Sequence, residues 1–236
     1  MNKIIIIGGG LTGLSCAFKL IQMEIKPSNI TIFEARQEIG SPTRSPGIAK
    51  KSKNINILID KIKLQPLTLL NLDNNLFTFR REWLEKSLSI YLTKLGCNIN
   101  LKTTITELLI NKFDENTTII NCAGFKRKSS GFPGDFTNFI NSKKIMIKLD
   151  TKKLIPWNGY LSIINQENKF NENFISINKK DNLNETWTCN IEEQKNKGNK
   201  FIEIIKSYFP NSSHEILANN TIDRGFLLAN KIRGTI

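Results

Sequence analysis

The stretch Lys3-Ile4-Ile5-Ile6-Ile7-Gly8-Gly9-Gly10-Leu11-Thr12-Gly13 decides the fold. Four consecutive isoleucines leave no polar face, which is the pattern of a parallel strand covered on both sides. The run ends in glycines, and Gly8, Gly10 and Gly13 have Gly-x-Gly-x-x-Gly spacing. Residues 11–23 then place Leu14, Ala17, Phe18 and Ile21 on one helical face. A second apolar run, residues 30–33, ends in Glu34, which lies 21 residues beyond Gly13. Strand, glycine turn, helix, strand and terminal acid in this order are the parts of a dinucleotide-binding βαβ unit.

Each part has a mechanical task. Gly8 allows a tight strand-to-helix turn, Gly10 lets the backbone approach a pyrophosphate, and Gly13, helped by the small Ala17, lets the helix lie close to the strand. The helix start at Leu11, Thr12 and Gly13 offers unbonded N–H groups and the positive end of the helix dipole to phosphate. Glu34 can accept hydrogen bonds from a ribose diol, and its charge would repel a 2′-phosphate, which argues against NADP at this position.

Outward from this unit, 236 residues suit one large domain or two small ones. With 39% hydrophobic and 23% charged residues the chain reads as globular, and collagen, coiled coil and outright disorder are excluded. No run of eighteen apolar residues is present, and residues 1–7 lack the longer apolar stretch of a signal peptide. Cys16, Cys97, Cys122 and Cys189 are far apart and contain no Cys-x-x-Cys pair, so neither a disulfide framework nor a zinc site is expected, and a reducing cytoplasm is. With His214 as the sole histidine, a Ser-His-Asp hydrolase or a His-ligated metal is disfavoured. The net charge is +13, but the basic residues come in small groups (Lys50, Lys51 and Lys53; Lys126, Arg127 and Lys128; Lys143 and Lys144; Lys152 and Lys153) without interleaved aromatics. That pattern predicts a solvated basic surface, or peripheral contact with an anionic membrane, rather than specific nucleic-acid recognition.

The segment Phe33-Glu34-Ala35-Arg36-Gln37-Glu38-Ile39-Gly40-Ser41-Pro42-Thr43-Arg44-Ser45-Pro46-Gly47-Ile48 resembles the geranylgeranyl reductase family of FAD proteins, within the wider p-hydroxybenzoate hydroxylase-like superfamily. Arg81-Glu82-Trp83-Leu84-Glu85-Lys86-Ser87-Leu88 resembles the opening of that superfamily's crossover helix. The resemblance implies FAD as cofactor. It implies cofactor contacts from Glu34, Ala35, Arg36 and Arg44, from Gly47 beside the flavin, and from Arg81, or Arg80 in its place. It further implies that Ile105, in Thr104-Ile105-Thr106, touches adenine through its backbone, and that Ala123 and Gly124 close over the cofactor.

Three departures qualify what the resemblance implies. Ala123-Gly124 stands where many relatives have Asp-Gly, which disfavours an NADPH-driven aromatic hydroxylase. Pro156-Trp157-Asn158-Gly159-Tyr160 does not match the family's lipid-tunnel motif. A late Gly-Asp segment that would hold the ribityl chain is missing, which suggests a shortened flavoenzyme whose flavin site is completed by a partner subunit or a homodimer.

Further along, residues 83–95 have helical periodicity with Gly96 as a stop, and residues 97–101 and 117–121 read as strands. Residues 143–149, 159–164, 173–178 and 185–191 read as strands of a mostly antiparallel sheet joined by residues 54–79; residues 201–208 read as a helix and 214–222 as a final strand. The expected fold is α/β: a Rossmann-like FAD-binding domain with a parallel sheet (residues 1–53 and 80–140), interleaved with a mostly antiparallel β-rich substrate domain (residues 54–79 and 141–236). The expected activity is that of an FAD-dependent oxidoreductase on a small apolar or isoprenoid-like substrate. The alternatives are a flavin monooxygenase or hydroxylase, and an inert nucleotide-binding subunit. No side chain stands out as a general acid or base.

Overall fold

The structure, a computed structural model, describes residues 3–62, 70–72, 75–123, 145–147, 153–163, 168–179, 181–189 and 201–232. The chain divides into two compact units. The first comprises Met1–Ser41, Glu85–Asp150 and Ile222–Ile236; the second comprises Pro42–Leu84 and Thr151–Thr221.

The first unit is built on strand β1 (Ile4–Ile7), helix α1 (Leu11–Gln22) and strand β2 (Ile30–Phe33). The four isoleucines of β1 are at most 4% exposed, so its near-continuous apolar character follows from cover on both faces. Burial of each such side chain contributes about 1.5–3 kcal/mol. β1 pairs in parallel with β2 on one side and with a later strand, Thr118–Asn121, on the other.

Helix α3 (Arg81–Lys94) begins in the second unit and continues into the first. Its buried Leu84, Leu88 and Leu92 repeat every four residues, while Trp83 and Leu95, also expected on the apolar face, are exposed. Gly96 ends the helix at φ 104°, a left-handed conformation that glycine adopts without strain. The other elements up to residue 147 are β3 (Ile48–Lys50), α2 (Lys53–Ile62), β4 (Leu70–Leu72), β5 (Leu76–Thr78), β6 (Asn98–Asn100), α4 (Glu107–Asn111), β7 (Thr118–Asn121) and β8 (Ile145–Ile147). The parallel sheet has the order β6-β2-β1-β7-β8. Chain order therefore reverses between β1 and β7, and ligands of such sheets bind beyond the carboxyl ends of the strands at that point.

The second unit contains two antiparallel sheets. One is the small β3-β5-β4 sheet. The other has the order β10-β11-β12-β9-β13, formed by β9 (Ile155–Ser162), β10 (Lys169–Asn171), β11 (Phe174–Asn178), β12 (Asn184–Thr188) and β13 (Phe201–Phe209). Trp157, Trp187, Ile175, Ile177, Ile48 and Leu76 form its core. Ser176, Asn184 and Thr186, the alternate residues of β11 and β12, are buried and bonded to one another: Ser176 Oγ and Thr186 Oγ1 donate to Asn184 Oδ1 at 3.1 and 2.9 Å.

The elements differ from the sequence expectation in four places. Residues 201–208 are strand β13, not a helix. They are rich in Phe, Ile and Tyr, which suit a pleated surface, and they pair with β9 through a bulge at Phe201/Glu203. Residues 214–222 are not a strand; helix α5 (Ala218–Ile232) starts within them, and its buried Ala218, Ile222, Phe226, Ala229 and Ile232 reveal the helical period only when read to the end. The described residues of 54–79 do not join the large antiparallel sheet: they give α2, which buries Ile55 and Leu58, and the strands β4 and β5 of the small sheet. Residues 145–147 pair in parallel with β7 and belong to the first sheet. The unit boundaries also place residues 42–53 in the second unit, where β3 pairs with β5, and residues 222–236 in the first. Among the described residues no helix is long and apolar enough to cross a membrane.

Candidate functional site

The glycine turn follows β1. Gly8 has φ 105°, a left-handed conformation, and a Cβ there would lie 2.6 Å from the Cys122 carbonyl oxygen. The position is thus closed to other side chains twice, by backbone angle and by the end of β7. At Gly13 a Cβ would lie 2.0 Å from the Gly8 carbonyl oxygen, so the first turn of α1 rests on the backbone it has just left. Gly10 is different: its φ is −75°, and among the described residues no atom beyond its chain neighbours lies within 4 Å of the place where a Cβ would sit. Two glycines of the motif are therefore required by packing, and the third opens onto free space.

Gly10 is the N-cap residue of α1 and makes no side-chain cap. No acidic residue lies in the first turn. The first N–H groups of any α-helix lack partners within it, so the amides of Leu11, Thr12 and Gly13 stand at the positive end of the helix dipole. An open Cβ position above an uncapped helix start is what a phosphate or diphosphate needs. At the far end of the motif a close crossing holds α1 in place: a Cβ on Gly225 of α5 would lie 2.4 Å from the Thr12 carbonyl oxygen, and Phe18 of α1 stacks on Phe226 with centroids 6.2 Å apart.

Glu34 is the first residue beyond β2 and is 4% exposed. Its carboxylate is already fully engaged. Oε2 accepts from the Gly9 amide at 2.8 Å and from Arg36 Nη2 at 3.3 Å; Oε1 accepts from the Arg36 amide at 2.9 Å and from Arg36 Nε at 3.0 Å. A carboxylate offers about four lone-pair sites, and all are used. Burial alone would raise its pKa, but the hydrogen bonds and charge of Arg36, with the Gly9 amide, outweigh this and hold it below the usual glutamate range. Arg36 is correspondingly raised against its own burial by Glu34. The Arg36 side chain is 32% exposed, so its outer face meets solvent. Ala35 is half-buried between the two. The backbone following β6 lies along this segment, with Thr103 N–H donating to Glu34 O and Lys102 N–H to Arg36 O, both at 3.0 Å.

Gly9 was invisible to the motif reading, which assigns it to an x position. It donates to Glu34, and a Cβ on it would meet the Ile39 side chain at 2.5 Å. Ile105 lies in the core with Ile5, Ile7, Ile110 and Ile119, so its side chain serves packing. Beside it, Thr106 caps α4, its hydroxyl accepting from the Leu109 amide at 3.4 Å. Ala123 follows β7, and its N–H donates to Asn121 Oδ1 at 3.1 Å. Gly124 lies outside the described residues.

The remaining candidates belong to the second unit. Arg44 is exposed. Arg80 is engaged with two carboxylates, Nε to Glu82 at 2.7 Å and Nη1 to Asp181 at 3.1 Å. Arg81 is 4% exposed and donates from Nη1 to the Pro46 carbonyl at 3.3 Å. At Gly47 a Cβ would lie 2.0 Å from the Phe79 carbonyl oxygen and 2.6 Å from Lys179 Nζ, so the missing side chain is required by the chain's own backbone.

Comparison with known proteins agrees with this geometry. A family model described as an NAD(P)-binding Rossmann-like domain matches residues 6–57, the segment that holds the end of β1, the glycine turn, α1, β2 and Glu34. A sequence search of curated proteins finds no match. Among solved structures, a geranylgeranyl bacteriochlorophyll reductase-like protein from Thermoplasma acidophilum is similar to 99% of this chain over 79% of its own length, with 13% identity and a TM-score of 0.59. A flavoprotein/dehydrogenase from Cytophaga hutchinsonii is similar to 98% of this chain over 79% of its own length, with 11% identity and a TM-score of 0.56. The p-nitrophenol 4-monooxygenase PnpA from Pseudomonas putida is similar to 89% of this chain over 68% of its own length, with 10% identity and a TM-score of 0.54. At these identities the likeness establishes the fold: a Rossmann-like parallel sheet with a separate antiparallel β-rich sheet.

Proposed function

We propose that the chain is an FAD-dependent oxidoreductase acting on a small apolar or isoprenoid-like molecule. The observation that carries this reading is the open position at Gly10 above the uncapped start of α1, with Glu34 one residue beyond the adjoining strand. In the reading, the amides of Leu11, Thr12 and Gly13 hold the pyrophosphate, and Glu34 accepts from the ribose as Arg36 gives up its longest bond. The fit is to a dinucleotide generally; the Arg36–Ile39–Gly40–Pro42 pattern and the folds shared with the reductase-like protein and the flavoprotein/dehydrogenase favour FAD over NAD. Bound flavin would supply the electron and hydride transfer, and this chain's residues supply position and electrostatics.

Arg44, Gly47, Ile105, Ala123 and Gly124, with Arg81, or Arg80 in its place, are further contacts in the proposal. A partner subunit or homodimer mate covering the flavin, and peripheral contact with an anionic membrane, belong to the same proposal. A second reading, a flavin monooxygenase, is supported by the fold shared with the p-nitrophenol monooxygenase.

The test is turnover of the FAD-loaded protein with a nicotinamide donor, offered an isoprenoid alkene or a phenol, with products read by mass spectrometry. A product heavier or lighter by two hydrogens supports the oxidoreductase, and one heavier by an oxygen atom supports the monooxygenase. Intact FAD binding with neither product favours the inert subunit.

A further inference from the structure

Two of the four cysteines meet beneath the glycine turn. Cys16 lies in α1, one turn beyond Gly13, and its thiol donates a hydrogen bond to the sulfur of Cys122. Cys122 follows β7, and its N–H donates to the Ile7 carbonyl at 2.8 Å, which holds it against the end of β1. The backbones around the pair are closely stacked. A Cβ on Gly13 would lie 2.0 Å from the Gly8 carbonyl oxygen, and one on Gly8 would lie 2.6 Å from the Cys122 carbonyl oxygen. On the α5 side, a Cβ on Gly225 would lie 2.9 Å from the Cys16 amide nitrogen. All of these residues belong to the first unit.

The two thiols differ in access. Cys16 is 0% exposed, whereas Cys122 is only partly buried. Burial and the bond to Cys122 keep Cys16 protonated. A buried cysteine standing alone serves as a small apolar filler, and Cys97 is of that kind. Cys16 differs in having a second sulfur as its bonded partner. A shared metal does not account for the pair: among the described residues no group of three His, Cys, Asp or Glu side chains could hold one. An accessible thiol backed by a second thiol is the arrangement that passes through a sulfenic acid to a disulfide.

We infer that Cys16 and Cys122 are a reversible redox site, which hydrogen peroxide converts to a disulfide tying α1 to the end of β7 beneath the glycine turn. The Cys122 thiolate attacks one peroxide oxygen. The S–O bond forms as the O–O bond breaks, and the departing hydroxide takes up a proton to become water. Cys16 then loses its thiol proton as its sulfur attacks that of Cys122. The S–S bond forms, the S–O bond breaks, and the sulfenic oxygen leaves as a second water. The two sulfurs together lose two electrons, and the peroxide gains them. A dithiol reverses the step by exchange. The inference is independent of which nucleotide the turn holds.

The test treats the parent protein with hydrogen peroxide, unfolds it in the presence of iodoacetamide to block the remaining thiols, and reads whole-protein and peptide masses. The expected product has lost two hydrogens, joins the Cys16 and Cys122 peptides, carries alkylated Cys97 and Cys189, and is undone by dithiothreitol. The Cys16→Ala variant should stop at a sulfenic acid on Cys122 that dimedone traps, and Cys122→Ala should leave Cys16 a free thiol. The parent's own peptides decide the matter even where a variant fails to fold. Cys122 advancing to sulfinic acid while Cys16 stays free, a disulfide to Cys97 or Cys189 instead, or no oxidation of either thiol would each overturn the inference.

Discussion

Gly13→Ala and Gly10→Ala are chemically the same change three residues apart, and the structure gives them opposite consequences. At Gly13 the new methyl would sit 2.0 Å from the Gly8 carbonyl oxygen. Ordinary contact needs more than a further ångström, and neither partner is a flexible side chain: one is helix backbone, the other the turn. Alanine gains about 1 kcal/mol of helix propensity over glycine, but overpacking of this kind costs about 1–3 kcal/mol or more. The clash here is at the severe end, so we expect a net loss of about 2 kcal/mol in stability. At Gly10 the backbone is extended, with φ −75° and ψ 178°, and the methyl meets no atom of the described residues beyond its chain neighbours. Exchanging an N-cap glycine for alanine costs only about 0.5–1 kcal/mol. The methyl instead occupies the space above the helix start, and FAD affinity should fall at least tenfold, about 1.4 kcal/mol. Urea unfolding and FAD titration of the two variants provide the assay. A Gly13→Ala protein as stable as the parent, or a Gly10→Ala protein that binds FAD like the parent, would refute the reasoning.

Three further outcomes follow from the same geometry. Glu34→Gln should weaken FAD by about 1–3 kcal/mol; because the native carboxyl titrates below its unfolded value, it contributes stability present above about pH 4.3 and lost as the pH falls through the lowered folded value, and the substitution should flatten that acid limb in unfolding measurements. Arg81→Ala should weaken FAD by about 1–3 kcal/mol, whereas Arg80→Ala removes partly exposed ion pairs and should change stability by no more than about 1 kcal/mol; a larger FAD loss in the Arg80 variant would reverse the assignment. Burial pushes the Cys97 thiol up to about 11, and a hydrogen bond donated by the Cys16 thiol to Cys122, together with burial, raises Cys16, so iodoacetamide at pH 8 should label Cys122 and Cys189 first, and rapid labelling of Cys97 in the folded protein would contradict its placement.

What could be read from the sequence was local and strongly patterned. β1, the glycine turn, α1, β2 and Glu34 lie within 34 residues, and each is dictated by its own composition. The same holds for the Leu84-Leu88-Leu92 stripe of α3. β13 and α5 depend on what lies beyond a short window: the pairing of residues 201–209 with β9 is not local, and the helical period of α5 emerges only beyond residue 222. β8 carries too few residues to reveal whether its neighbour is parallel or antiparallel. At the site, sequence spacing named the acid but not its occupation by Arg36 and Gly9, since that depends on how the chain turns after β2. The meeting of Cys16 and Cys122 had no local signal, because the two are brought together only by the packing of α1 and the glycine turn on the end of β7.

The central claim is that the first unit's glycine turn and Glu34 hold FAD. It is tested most directly by titrating the purified protein with FAD, following flavin fluorescence, with ADP and NAD as competitors. The account predicts saturable one-to-one FAD binding that ADP displaces and that NAD, at equal concentration, leaves largely intact. Tight NAD binding by a protein indifferent to FAD would contradict it.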